Sequence, residues 1–248
     1  MGRPHLAVIV PAYNEEPRLA DSLGRIREYL DSQAYTWTVL VISDGSTDRT
    51  PDIAKRFTEE DERFELIEYR PNRGKGYAVR TGMLTAEADW LLLCDADLAA
   101  PIEEVEKLFA AATPVAIGSR ALSESQLEIH QPKFREMAGR LFNGVVRVLG
   151  VPGLKDTQCG FKLFSYDAAA AIFPRCRLNG YSYDFEALML ARALGFEITE
   201  VPIRWSHQEG SKVRLIRDGF RMLRDLAALR LTFRSRLRDP KDMPRRTD

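Results

Sequence analysis

No stretch of this 248-residue chain reaches the roughly 18–20 consecutive apolar residues that a membrane-spanning helix requires. Cysteine is scarce. Cys94, Cys159 and Cys176 form an odd set without a CxxC pair, which argues against a disulfide framework and against structural zinc, and suits a reducing cytosol. A secretory signal pattern is also missing, since Pro11 and Asn14-Glu15-Glu16 interrupt the first apolar run. The expectation is a soluble or membrane-peripheral protein on the cytoplasmic side. Net charge is absent too, with 36 basic against 36 acidic residues, but the balance is uneven. Residues 212–248 hold twelve Lys/Arg and five Asp/Glu, so a basic end of +7 offsets a remainder of −7.

What is present is an alternation of strands and helices. The apolar runs Leu6–Val10, Trp37–Ile42, Phe64–Tyr69, 89–95 and Pro114–Gly118 read as strands. Helical patterns separate them at about 15–30 (with Pro17 in its first turn), 50–60, through Ala86, and 101–111. Repeated βα units predict a mostly parallel sheet flanked by helices, an α/β fold. Beyond Arg120 the pattern changes. Residues 121–132 are polar and read as a loop, and apolar residues from Phe134 to Leu149 recur at helical spacing. Phe161–Phe164 reads as a strand, Asp184–Leu194 as a helix and Ile198–Trp205 as an extended segment. No repeat or linker divides the chain, so one domain is expected.

The fourth strand ends in Asp95-Ala96-Asp97. Two carboxylates there are either a strand-end turn with a helix cap, or a pair that holds one hard cation against substrate phosphates. Two other strands deliver polar clusters to the same edge, Val10-Pro11-Ala12-Tyr13-Asn14-Glu15-Glu16 and Ile42-Ser43-Asp44-Gly45-Ser46-Thr47-Asp48. In an open α/β sheet this is the ligand-binding edge. Arg73-Gly74-Lys75-Gly76 partly matches a dinucleotide fingerprint, but Val79 stands where its third glycine belongs, and the first βα turn is not glycine-rich.

With Asn72-Arg73-Gly74-Lys75-Gly76, these clusters resemble the nucleotide-sugar half of a family 2 glycosyltransferase with the GT-A fold, over residues 5 to about 120. The resemblance implies that Pro11, Ala12, Tyr13, Glu15 and Asp44 contact base and ribose of a UDP-sugar. It places Lys75 near the diphosphate and Asp95 and Asp97 on Mg²⁺ or Mn²⁺. Ala99 replaces a glutamine that ligates the metal in some relatives, so a further ligand is sought elsewhere. The second half carries Gly118-Ser119-Arg120, Asp156-Thr157-Gln158-Cys159-Gly160-Phe161-Lys162 and Gly180-Tyr181-Ser182-Tyr183-Asp184-Phe185-Glu186. It continues with Val201-Pro202-Ile203-Arg204-Trp205-Ser206-His207 and Gly210-Ser211-Lys212. These are similar to the dolichyl-phosphate β-glucosyltransferase branch, whose near relatives are the mannose synthases that use GDP-mannose.

That likeness implies transfer of glucose from UDP-glucose to a polyprenyl phosphate with inversion. Asp97, Asp156, Asp184, Arg120 and Lys212 become the candidate catalytic residues, and His207 a candidate ligand completing the metal shell. A phosphomonoester is already largely ionised at neutral pH. It needs cations more than a base, and Arg120, Arg135, Lys162 and Lys212, with Ser211, are placed to supply acceptor contacts. A hydroxyl acceptor would instead need a carboxylate base such as Asp156 or Asp184. A nucleotide-sugar-binding subunit without turnover, working with a membrane-embedded partner, is the non-enzymatic alternative. The expected organisation is one GT-A domain over 1–238, with an acceptor half at 121–211 and a polar tail at 239–248. Residues 212–238 form a basic amphipathic helix, read either as a membrane-surface element or as core packing. No recognition motif accompanies the basic charge, so no nucleic-acid partner is expected.

Overall fold

Strand β1 (Leu6–Ala12) is apolar throughout because both of its faces are covered. Ile9 packs to one side with Ile42, Leu91 and Leu93, while Val8 and Val10 pack to the other with Val39, Val41 and Leu92. The period of two thus builds a separate core on each face of the sheet. The computed structural model describes residues 3–129, 151–208 and 215–237.

In chain order the first half contains β1, α1 (Leu19–Asp31), β2 (Trp37–Asp44), α2 (Thr50–Glu60), β3 (Phe64–Tyr69), α3 (Lys75–Thr85) and β4 (Trp90–Cys94). A 3₁₀ turn at Ile102–Glu104 leads into α4 (Val105–Ala110), followed by β5 (Val115–Ser119) and β6 (Gln126–Ile129). The second half contains β7 (Phe161–Ser165), α5 (Tyr166–Ile172), α6 (Tyr183–Ala193), β8 (Ile198–Pro202), β9 (Arg204–Ser206) and α7 (Leu215–Arg236). Seven strands form one sheet in the order β3-β2-β1-β4-β7-β5-β8. Only β7 runs against its neighbours, pairing antiparallel with both β4 and β5. Its start therefore lies at the edge where β1, β2 and β4 end, and Asp95 N–H donates to Gly160 O at 3.0 Å.

Four local expectations are corrected. The polar segment 121–132 contains β6, which pairs in parallel with β9, because backbone pairing there needs no apolar pattern. Pro17 sits in a turn before α1 rather than in its first turn. The helix expected over 101–111 opens as a 3₁₀ turn behind Pro101. Helix α5, which runs Tyr-Asp-Ala-Ala-Ala-Ala-Ile, was not anticipated. It is capped by Ser165, whose hydroxyl accepts from Ala168 N–H at 3.2 Å. The helix expected over 134–149 lies outside the described residues.

Candidate active site

The first two loops of the sheet edge are tied to one another. Asn14, held at φ 52°, donates its N–H to Ser46 Oγ at 3.1 Å and accepts from Thr47 N–H at 2.8 Å. Glu15 N–H donates to Thr50 Oγ1 at 2.7 Å, and the Glu15 carboxylate pairs with Arg18 at 2.8 Å. Pro11, Ala12 and Tyr13 line this corner at the end of β1, with the Tyr13 ring exposed.

Asp44 is buried and works as a clamp on the next loop. Its carboxylate accepts from Arg73 N–H at 2.7 Å, Gly74 N–H at 2.9 Å and Asn72 Nδ2 at 2.9 Å. A base N–H donor would find at most one free lone pair there, so the expected nucleoside contact is joined by a scaffolding role. Gly74 must be glycine. Its φ of 100° suits no side chain well, and a Cβ would lie 2.4 Å from Asn179 O. Gly76 is packed as closely against residues 178–180. The glycines of 73–76 thus let α3 start against a neighbouring loop, which accounts for the partial dinucleotide pattern.

Lys75 follows in the first turn of α3, and its ammonium lies between the two Asp95 oxygens at 2.6 and 2.9 Å. Burial works against the charge of Lys75, but Asp95, Asp184 and Asp97 together hold its pKa above the ordinary value. Gly160 makes room for Asp95, since a Cβ there would lie 1.9 Å from Asp95 Oδ2. Asp97 accepts from Ala99 N–H at 3.1 Å, and burial, followed by the charge of Asp95, pushes its carboxyl up. Two crowded carboxylates of this kind fit a hard divalent cation, whose remaining positions go to water and phosphate. Among the described residues no three His, Cys, Asp or Glu side chains gather to hold a metal alone. His207 is therefore not assembled with Asp95 and Asp97 as expected. It follows β9, and its ring lies 6.1 Å from that of Trp205.

On the β7 side, Arg120 and Asp156 form a bidentate pair, with Nε to Oδ2 at 2.6 Å and Nη2 to Oδ1 at 2.8 Å. Burial pushes the Asp156 carboxyl up, yet the Arg120 guanidinium outweighs it and holds the group below its ordinary value. Glu200 fixes the loop beneath by accepting from Lys155 and Asp156 N–H, both at 2.8 Å. Lys162 and Asp184 form a second, fully buried pair, and Lys162 Nζ also donates to Cys159 O at 2.6 Å. Lys162 was expected to meet substrate, but burial turns it inward onto Asp184. Asp184 itself is held above the ordinary carboxylate value by burial, although Lys162 and Lys75 pull the other way. Trp205 walls a narrow crevice of about 20 Å³ with Asp95, Ala99, Ala100 and Gly160. Arg120 lies 5.3 Å from the Trp205 ring centre.

Gly160, Glu200 and Trp205 were given no role from sequence. Gly160 and Trp205 stood inside quoted motifs, whereas nothing marked Glu200. Arg135, Ser211 and Lys212 lie outside the described residues.

Residues 7–169 match the model of Glycosyl transferase family 2. The chain belongs to this family. As a family 2 glycosyltransferase it has curated relatives of similar sequence. It is 35% identical over 252 residues to a dolichyl-phosphate β-glucosyltransferase of Saccharomyces cerevisiae, covering 92% of this chain and 75% of that one. The counterpart in Drosophila melanogaster is 37% identical over 237 residues, covering 89% and 73%. Among solved structures, glucosyl-3-phosphoglycerate synthase from Mycobacterium tuberculosis, in complex with uridine-diphosphate, superposes with a TM-score of 0.65. It has 18% identity, with coverage of 95% of this chain and 82% of that one. Mannosyl-3-phosphoglycerate synthase from Rubrobacter xylanophilus gives 0.69 at 16% identity, covering 97% and 79%. At such identities these structures speak for the GT-A fold alone.

Proposed function

We propose that this glycosyltransferase moves glucose from UDP-glucose to a polyprenyl phosphate of the dolichyl type, with inversion at the anomeric carbon and Mg²⁺ or Mn²⁺ at Asp95 and Asp97. The observation that carries the reading is how the acidic residues of the acceptor side are engaged. Asp156 is held by Arg120 and Asp184 by Lys162, and both are buried, so neither carboxylate is exposed to take a proton from an acceptor hydroxyl. A hydroxyl nucleophile would need one. A phosphate acceptor brings its own ionised oxygen and needs only positioning and positive charge. The sequence relatives named as dolichyl-phosphate β-glucosyltransferases support the same acceptor and sugar.

In this reading Pro11, Ala12, Tyr13 and Glu15 bind the nucleoside, and Asp44 fixes the loop that presents Lys75 to the diphosphate. A bound divalent cation supplies charge to the departing diphosphate. Arg120, oriented by Asp156, draws the acceptor phosphate toward the crevice beside Trp205, and Asp184 keeps the charge of Lys162 paired inside the protein. Arg135, Ser211 and Lys212 remain proposed acceptor contacts on the family resemblance.

The acceptor is confined to a bilayer, and among the described residues no helix is long and apolar enough to cross one. Helix α7 supports surface binding instead. Met222, Leu226 and Leu229 dock it on the core, while Phe220, Leu223 and Leu231 are exposed on its other side. Exposed Arg217, Arg221, Arg224, Arg230 and Arg234 interleave with them. In this reading the two alternatives read from the sequence belong to two faces of one helix. The inner face reaches the acceptor side, where Ser182 Oγ donates to Asp225 at 2.7 Å.

The test is UDP release from UDP-glucose with and without a polyprenyl phosphate. Release that depends on the lipid phosphate is the expected result. Release driven equally well by a soluble hydroxyl acceptor, or turnover with GDP-mannose in place of UDP-glucose, would overturn the assignment.

A further inference from the structure

We infer that Lys75 is an internal stand-in for the divalent cation, so that the protein takes up metal well only when the donor diphosphate draws Lys75 off Asp95. The inference rests on the proposed role of Asp95 and Asp97 as metal ligands. It starts from the position of the Lys75 ammonium, within 3 Å of both Asp95 oxygens. A cation taking that position between the two oxygens must displace it. Asp95 is crowded on the side away from Lys75, where its carboxylate is seated in the space that a side chain at Gly160 would fill. Its backbone N–H is likewise held by Gly160 O at 3.0 Å.

The other partner is free to move in one respect only. The backbone at Gly74 is pinned by Asp44, which accepts its N–H at 2.9 Å. The Lys75 side chain is flexible, with four methylenes between backbone and ammonium, so the exchange is a swing about a fixed base. Charge gives the swing its direction. Asp95, Asp97 and Asp184 act on the half-buried Lys75, and the buried Lys162 pairs with Asp184, for a formal balance of −1 when all three carboxylates are ionised. A divalent cation alone would turn this to +1 in a partly buried site, while the diphosphate of the donor returns it to −1. Metal and donor are therefore favoured as a pair, and Lys75 exchanges one anionic partner for another.

The experiment measures Mn²⁺ binding by electron paramagnetic resonance, without nucleotide, for the wild-type protein, Lys75→Met and Lys75→Arg. Lys75→Met removes the competing charge at similar length and is expected to tighten Mn²⁺ binding by about tenfold or more. Lys75→Arg keeps the charge and is expected to stay as weak as wild type. UDP binding in the absence of metal should weaken in Lys75→Met, so the two affinities move in opposite directions. Should Lys75→Met fail to fold, crystals of the wild type soaked with Mg²⁺ and UDP carry the test. Lys75 Nζ is then expected to have left Asp95 for the diphosphate. Unchanged Mn²⁺ affinity in a folded Lys75→Met, or an ammonium still between the Asp95 oxygens in the loaded crystal, would overturn the inference alone. Absence of metal binding in every form, with UDP present, would overturn the metal assignment and the inference together.

Discussion

Arg120 meets Asp156 edge to edge, two guanidinium nitrogens on two carboxylate oxygens, and its own backbone N–H adds a third bond to Oδ2 at 3.0 Å. Asp156 is 1% exposed, so its charge depends on this partner. Arg120→Ala is therefore expected to destabilise the fold by about 3 kcal/mol, as breaking a buried pair does by leaving one charge uncompensated. Arg120→Lys should restore only part of this, because an ammonium cannot reproduce the planar fork. Chemical denaturation of the three proteins checks both statements.

The same pair sets a pH dependence. The folded-state pKa of Asp156 is depressed, so its contribution is fully present above the unfolded value, about 3.9, and is lost as pH falls through the folded value. Asp156→Asn should flatten this acid limb of the stability curve. Thermal melts from pH 7 to pH 2 provide the measurement. An unchanged acid limb would mean that other carboxylates govern acid unfolding.

The proposed role of Asp95 and Asp97 as metal ligands leads to a prediction on activity. Chelation is expected to abolish glucosyl transfer and added Mg²⁺ or Mn²⁺ to restore it. Asp97→Ala should lower kcat by about 100-fold or more, since a metal contributes several kcal/mol to charge on the leaving group. Gly160→Ala should also impair turnover, because its methyl group would occupy the place of the Asp95 carboxylate. Full activity in excess chelator would remove the metal from the mechanism.

Lys162 and Asp184 are expected to behave as a unit. Lys162→Met alone leaves a buried carboxylate without its partner and should cost about 3–5 kcal/mol, while Lys162→Met with Asp184→Asn should cost less. Asp184→Asn, where folded, should retain measurable transfer to a polyprenyl phosphate, because that acceptor needs no proton removed. A folded Asp184→Asn that binds UDP but is inactive would favour a hydroxyl acceptor.

Membrane association is expected to follow charge and the outer face of α7. The protein should sediment with anionic liposomes and not with neutral ones, and salt should release it. Each Arg close to the surface contributes about 1 kcal/mol, so neutralising Arg221, Arg224, Arg230 and Arg234 together should abolish retention. Transfer to a short, water-soluble polyprenyl phosphate should survive. Retention that persists in this variant would place the lipid contact elsewhere in the chain.

The sheet edge was legible in the sequence for a local reason. Each strand is a run of apolar residues that ends in polar ones, so Ala12, Asp44 and Asp95 fall on one side of any parallel sheet built from them. The carboxylate pair at 95 and 97 and the glycines of 73–76 carry their chemistry within a few residues. The partners of those groups were not legible, because they are set by contacts between distant segments. Only the insertion of β7, antiparallel between β4 and β5, brings Gly160 against Asp95 and Lys162 beneath Asp184. From the sequence Lys162 was one more cation for the substrate. The tertiary structure buries it, and burial decides that its charge goes to a carboxylate of the protein itself. The same holds for α7, whose periodicity revealed an amphipathic helix but not which apolar residues face the core. The docking of Met222, Leu226 and Leu229 takes one stripe and leaves Phe220 and Leu231 outside, a choice made by packing and not by spacing.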